Sequence, residues 1–191
     1  MRYCGIDVSA KAASQQLVTL HERRTPGTLE LVATFYEPGT VEQVARTIEG
    51  FGRGGSVVAI DAPSGHRLDL LSPGSPARTV LGLPDGRYER MRVCDTILFR
   101  RGLPLYPVPR EGQPRTAWEQ WMYVGFDLFR ALAPLGRFTP PRDGYEGPVG
   151  DHALAHGRVF ETYPDAVFCS LLGHRPSRSA RPGDSTSGSP R

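Results

Sequence analysis

The sequence is poor in the features that mark secreted, membrane-spanning and zinc-binding proteins. Only 3 of its 191 residues are cysteines, and Cys4, Cys94 and Cys169 lie far apart, which matches neither a disulfide framework nor a CxxC zinc site. No apolar run approaches the roughly 18 residues of a membrane span, and the first residues lack the regions of a secretory signal. We therefore expect a cytoplasmic protein with no disulfide partner and no membrane association.

The sequence also lacks an excess of charge outside its C-terminal end. The formal net charge is +3, from 23 basic and 20 acidic residues. Residues 174–191 hold four arginines and one aspartate, so the rest of the chain, with 19 basic and 19 acidic residues, is formally neutral. The basic isoelectric point is therefore not a signature of nucleic-acid binding by the whole protein.

Several familiar catalytic and nucleotide-binding motifs are missing. Neither GxGxxG nor GxxxxGKS/T occurs, so no phosphate-binding glycine loop is predicted. No Ser/His/Asp set can be assembled. Four histidines have no metal-ligand spacing with one another or with cysteine: His66, His152, His156 and His174.

The first sixty residues predict three strands, a helix and a fourth strand. Apolar runs at 2–9, 15–22 and 29–37 are separated by turn residues and predict an antiparallel meander. Thr40, with Gln43 three residues later, is a capping-box pattern that opens a helix. A β-branched run then ends at Asp61. Because a helix separates it from the meander, its strand is expected to lie parallel to another strand of the sheet.

The middle of the chain predicts an insertion followed by a long helix. Residues 64–115 are rich in proline, glycine and arginine, and the segment 88–101 within them is predicted to be helical. Thr116 and Glu119 form a second capping-box pattern, which starts the longer helix.

The last predicted elements complete an α/β domain with a mixed sheet. A short strand over 158–164 precedes a helix that Pro164 opens. Apolar residues then almost disappear, which predicts a disordered tail over 174–191. We therefore expect one domain over 1–173, with the first strand in the middle of its sheet.

Three of the predicted strands end in an acidic residue, namely Asp7, Asp61 and Glu161. Asp7 and Asp61 would flank the point where the strand order reverses, where ligands gather in open α/β sheets, with Glu161 one strand further out. Side chains at adjacent strand ends are about 5 Å apart, and carboxylates without histidine or cysteine suit Mg²⁺ or Mn²⁺. Each acid alone also fits an ordinary turn or cap residue, and Asp61 fits an Asx turn.

Residues 78–115 carry eight arginines against four acidic residues. On a helix, Arg92 and Asp95 are three residues apart and could face the strand ends, where Asp95 would add a metal ligand and Arg92 would bind phosphate. The alternative is a solvated helix with ion pairs between residues three apart.

Several motifs in the same order resemble one bacterial and archaeal protein family. They are G-I-D near the start, I-D-A-P-S-G at 60–65, R-V-C-D at 92–95, W-M-x-x-G at 121–125 and F-E-T-Y-P at 160–164. Over about positions 3–173 the chain resembles the domain of unknown function four-two-nine family, described as predicted nucleases with a ribonuclease-H-like fold. The resemblance implies a five-stranded mixed sheet of order 3-2-1-4-5 flanked by helices. It also implies an acidic site at Asp7, Asp61 and Glu161, with Arg92 and Asp95 nearby.

The C-terminal end departs from that family. The family continues after the E-T-Y-P helix and ends in an acidic helix of D-A-x-D-A type, whereas here an Arg/Ser/Pro/Gly-rich stretch begins at about His174. We therefore expect a truncated family member without the last helix, with one sheet face exposed and one metal ligand fewer.

The leading hypothesis from the sequence is a metal-dependent nuclease or other phosphodiesterase in which Asp7, Asp61 and Glu161 hold Mg²⁺ or Mn²⁺. Asp95 would be an auxiliary ligand or base, and Arg92 would position a phosphate. Two alternatives stay open: a non-catalytic module that binds nucleic acid through the arginines of 78–115 and the tail, and an inactive truncated protein. DNA, RNA and small phosphoesters remain open as substrates, as do exo- and endo-cleavage and the oligomeric state.

Overall fold

A computed structural model describes residues 2–11, 13–51, 56–103, 105–133 and 158–172 of the chain. The predicted tail at 174–191 lies outside these residues. In the described part, no helix is long and apolar enough to cross a membrane. Cys4 and Cys94 are free thiols.

The described residues form five strands and five helices. The strands are β1 (Arg2–Asp7), β2 (Gln16–Thr25), β3 (Thr28–Phe35), β4 (Ser56–Asp61) and β5 (Arg158–Glu161). The helices are α1 (Val41–Gly50), α2 (Pro76–Leu81), α3 (Val93–Arg100), α4 (Gln120–Leu132) and α5 (Pro164–Leu172). A 3-10 turn at Ala117–Glu119 leads into α4.

The strands form one mixed sheet in the order β3-β2-β1-β4-β5. β1, β2 and β3 are an antiparallel meander. β4 runs parallel to β1, and β5 runs parallel to β4. The α/β class and the strand order 3-2-1-4-5 expected from the sequence are therefore confirmed.

Both capping boxes form as their sequence patterns predict. The Thr40 hydroxyl accepts from the Gln43 N–H at 3.3 Å, and the Gln43 side chain accepts from the Thr40 N–H at 2.7 Å. Before α4, the Glu119 carboxylate accepts from the N–H of Thr116 at 3.1 Å and from its hydroxyl at 2.6 Å. These contacts fix where α1 begins and where the 3-10 turn that leads into α4 begins.

The predicted helix over 88–101 is wrong in its first turn. Tyr88 has a positive φ of 64°, and Arg92 has an extended backbone, so α3 begins only at Val93. The extended Arg92 backbone lets its side chain turn back onto Asp95 in the first turn of α3. A short helix that was not predicted, α2, lies earlier in the same insertion.

One face of the sheet carries the hydrophobic core. Cys4 and Ile6 of β1 and Val58 and Ile60 of β4 are almost completely buried on that face. The apolar sides of α1 and α4 pack against them. Successive strand residues point to opposite faces, so the residues between these belong to the other side of the sheet.

We call that other side the open face. Among the described strand residues it carries Tyr3, Gly5, Asp7, Gln16, Val18, Leu20, Glu22, Arg24, Leu29, Leu31, Ala33, Phe35, Val57, Ala59, Asp61 and Phe160. The most exposed apolar side chains among them lie on β3, where Leu29 is 59%, Leu31 63% and Phe35 82% exposed. The expectation that a missing last helix exposes one sheet face concerns residues after 172, which lie outside the described ones.

Helix α4 passes very close to the chain that follows β4. Gly125 lies directly against the side chain of Ala62, and a Cβ at this position would be 3.2 Å from the carbonyl oxygen of Pro63. Contact with the Ala62 Cβ would be far too close for a real pair of carbon atoms. A glycine is therefore needed for α4 to hold the segment that begins directly after Asp61.

We expect Gly125→Ala to lower the free energy of unfolding by about 2 kcal/mol, because the added methyl group overpacks a contact that cannot relax freely. Urea denaturation followed by circular dichroism measures this change. Gly50→Ala is the matched control, since a Cβ at Gly50 meets nothing within 4 Å. A loss of the same size in both variants would contradict the close-contact argument.

Candidate functional site

Asp7 and Asp61 are brought side by side by the parallel pairing of β1 and β4. They are register partners at the last position of their strands, and adjacent strands are about 4.8 Å apart. Ile6 and Ile60, which precede them, are buried in the core, so both aspartates belong to the open face. Asp7 is exposed and Asp61 is half-buried.

A cavity of about 680 Å³ opens beside these two carboxylates. Its lining includes three acidic side chains, those of Asp7, Asp61 and Glu37. It also includes two aromatic side chains, those of Phe35 and Tyr36. None of the described residues that line it is an arginine, a lysine or a histidine. The charged side chains among the described lining residues are therefore all acidic.

Small residues on the two central strands make room for the cavity. Gly5 and Ala59 are register partners on the open face, and both line the cavity. A Cβ at Gly5 would lie 3.3 Å from Cγ1 of Val18. Because Gly5 of the G-I-D motif has no side chain, it leaves space in the cavity next to Asp7.

Glu161 lies at the same end of the sheet but belongs to the other side of it. Its register partner is Ile60, a core residue. The Glu161 carboxylate accepts from the backbone N–H of Ser64 at 3.1 Å and from Nη1 of Arg92 at 2.8 Å. Glu161 thus belongs to a second polar group, which it forms with Arg92 and Asp95.

Arg92 is the centre of this second group, because its guanidinium binds two carboxylates at once. It donates through Nε and Nη2 to the two oxygens of Asp95, both at 2.8 Å, and through Nη2 to Oε1 of Glu161 at 2.5 Å. The Asp95 side chain is only 5% exposed. Burial by itself would lower the pKa of Arg92, but the hydrogen bonds to Glu161 and Asp95 outweigh burial and raise this pKa above its usual range.

The predicted site residues are therefore divided into two groups. Asp7 and Asp61 lie together on the open face, while Glu161, Arg92 and Asp95 lie together on the core side. Within the described residues, no group of three or more histidine, cysteine or acidic side chains is placed to hold a metal ion.

Most arginines of the 78–115 stretch bind the protein itself. Arg78 is 4% exposed and donates to the carbonyl oxygens of Leu71, Arg87 and Pro84. The others with internal contacts are Arg92, Arg100 on the Leu81 carbonyl, Arg110 on Asp69, and Arg115 above the ring of Tyr123. The Arg92–Asp95 pair is an ion pair between residues three apart, as one interpretation of the sequence predicts, but it is largely buried rather than solvated.

Sequence reasoning missed the residues that form the cavity wall. Three of these residues, Phe35, Tyr36 and Glu37, follow one another at the end of β3, and two strands lie between β3 and β4. No spacing pattern connects them to the aspartates. Ser64 was also missed as a partner of Glu161, because the two residues are 97 positions apart and no spacing pattern connects them.

No family model, no curated protein and no solved structure matches this chain. The geometry of the two groups is therefore the basis for assigning a function.

We expect Arg92→Gln to lower the free energy of unfolding by about 3 kcal/mol, because it leaves the buried Asp95 carboxylate without its cation. Arg92→Lys keeps the charge but not the planar fork that reaches two carboxylates, so an intermediate loss is expected. Urea denaturation at pH 7 measures both. Arg130→Gln is the control, since its partner Asp127 is exposed and such pairs contribute little. A loss no larger than that of the control would show that Arg92 does not hold the group together.

Proposed function

We propose that the chain is a metal-dependent phosphoester hydrolase in which Asp7 and Asp61 bind a Mg²⁺ or Mn²⁺ ion. The observation that carries this proposal is the pairing of the two carboxylates beside an acidic cavity. Two carboxylates at adjacent strand ends are within reach of one divalent cation, for which carboxylate oxygens are preferred ligands.

The donor set fits a hard divalent ion. Mg²⁺ in proteins is commonly held by one or two carboxylates, with water and substrate phosphate oxygens completing its coordination. Asp7 is exposed and Asp61 half-buried, so the pair is accessible from the cavity. When bound, such an ion supplies an acidified water molecule and neutralises charge on the phosphate.

The second polar group has a supporting role in this proposal. Arg92 links the start of α3 to the end of β5 through Asp95 and Glu161. Both carboxylates are occupied by these ion pairs, so neither is assigned as a metal ligand. Arg92, Asp95 and Glu161 are positioning residues that hold the strand end next to Asp61.

The proposal includes a ribonuclease-H-like fold. It is supported by the strand order, the antiparallel meander and the parallel β4 that follows α1. Ligands of open α/β sheets bind beyond the carboxyl ends of the strands where the order reverses. β1 and β4, which end in Asp7 and Asp61, are the strands at that point.

We propose a small or short phosphoester as the substrate. A volume of about 680 Å³ is typical of sites for small molecules. A long nucleic-acid strand would require a row of basic side chains along its phosphates. Among the described residues, five of the eight arginines in the 78–115 stretch have internal partners instead.

Isothermal titration calorimetry with Mn²⁺ tests the ion site without knowledge of the substrate. We expect Asp61→Asn and Asp7→Asn to weaken binding by about tenfold or more at pH 7, since each removes a charged ligand. Asp127→Asn is the matched control, because this exposed carboxylate lies on α4 and pairs with Arg130. Equal binding by wild type and Asp61→Asn, or no binding by the folded wild type, would contradict the proposal.

Turnover is tested with bis(4-nitrophenyl) phosphate, a labelled dinucleotide and a labelled long single strand, each with Mn²⁺. We expect hydrolysis of the first two, and its loss in Asp61→Asn while circular dichroism shows an unchanged fold, because the ion that activates water is no longer held. Preferential cleavage of the long strand would contradict the substrate class but not the metal site. Full activity of Asp61→Asn would contradict both.

A further inference from the structure

The edge strand β3 has the properties of a strand that pairs with another chain. It is eight residues long and, among the described residues, pairs only with β2. Proteins usually protect an edge with lysine, proline, a bulge or a very short strand. β5, at the other edge, has four residues, whereas β3 reads T-L-E-L-V-A-T-F and contains no lysine and no proline.

The side chains of β3 separate by face into an apolar set and a mixed set. Leu29, Leu31, Ala33 and Phe35 lie on the open face, and the three larger ones are more than half exposed. Glu30 is the only ionisable residue of the strand, and its carboxylate accepts from Nη2 of Arg23 on β2 at 2.6 Å. The edge therefore combines apolar side chains with almost no repelling charge.

The direction of each backbone N–H in β3 follows from one hydrogen bond at its end. Tyr36 donates its N–H to the carbonyl oxygen of Leu17 at 3.0 Å, toward β2. In an antiparallel pair this direction alternates along the strand. Thr34, Val32 and Glu30 therefore also point their N–H groups toward β2. The N–H groups of Leu29, Leu31, Ala33 and Phe35 point toward the free edge.

We propose that two copies of this chain pair through β3, antiparallel and about a two-fold axis at Val32, to form one continuous ten-stranded sheet. A two-fold axis perpendicular to the sheet keeps the open faces of both copies on the same side. In this register Leu29 is opposite Phe35 of the second copy, and Leu31 is opposite its Ala33. The outward N–H and C=O groups of these four residues then form about eight hydrogen bonds between the copies.

A two-fold axis at Val32 gives a better pairing of the two β3 strands than an axis at Glu30 or at Leu31. Centring on Glu30 would place two glutamates directly opposite each other, which is destabilising. Centring on Leu31 leaves Phe35 beyond the paired segment. Centring on Val32 pairs every residue from Leu29 to Phe35 and places Glu30 opposite Thr34 of the second copy, with no like charges in contact.

This pairing also places the second copy beside the cavity. Phe35 is both the last residue of β3 and part of the cavity lining. Leu29 of the second copy would therefore cover the exposed outer side of the Phe35 ring. The inference does not depend on the proposed hydrolase activity, because it rests on β3 alone.

Sedimentation velocity of the full chain between about 1 and 100 µM tests the pairing. We expect a concentration-dependent dimer. Ala33→Pro should weaken it by about tenfold or more, because it removes an outward N–H from each copy while leaving the bonds to β2 in place. Ala33→Val keeps that N–H and is the matched control. A monomeric wild type at the highest concentration, or equal association of the two variants, would overturn the proposal.

A second pair of variants tests the axis and does not use proline. Val32→Lys and Val32→Asp each place like charges opposite one another at the proposed axis, so each alone should associate about fivefold more weakly than wild type. An equal mixture of the two should recover association, because lysine then faces aspartate. A mixture that associates no better than either variant alone would overturn the proposed register.

Discussion

The parallel pairing of β1 with β4 is the contact on which the rest of the molecule depends. The two strands run in register from Arg2 opposite Ser56 to Asp7 opposite Asp61. On one face this alignment stacks buried residues such as Ile6 and Ile60 under the helices, and each such side chain stabilises the fold by about 1.5–3 kcal/mol. On the other face it brings two carboxylates to the same level. The alignment of the core residues and the pairing of the two carboxylates therefore both follow from the register of β1 with β4.

A single guanidinium, that of Arg92, holds two of the acidic residues near the strand ends. Glu161 sits one strand beyond Asp61, and Arg92 holds it together with Asp95 on the core side of the sheet. The ion pairs neutralise charges that would otherwise be costly to bury, since the Asp95 side chain is 5% exposed. The Asp7–Asp61 pair lies on the opposite side of the sheet, beside the cavity.

The open face gives the molecule both its cavity and its exposed edge. Gly5 and Ala59 keep the centre of this face shallow, which makes room beside Asp7. Toward the edge, the larger side chains of β3 stand exposed, with Phe35 at 82%. Ligand binding and association of copies would therefore use adjacent parts of one sheet face, and Phe35 belongs to both.

The sequence by itself determined the elements whose signals are local. Apolar runs bounded by turn residues predicted the strands, and the crossover helix predicted that β4 lies parallel to another strand. The capping box at Thr40 predicted where α1 begins, and the one at Thr116 marks the 3-10 turn that leads into α4. Only the tertiary structure decided on which side of the sheet each strand-end acid lies. A shift of one residue in the pairing of β4 with β5 moves Glu161 to the opposite face, and its partner Arg92 comes from a segment 69 residues away. Neither the register nor a contact over that distance leaves a spacing pattern in the chain.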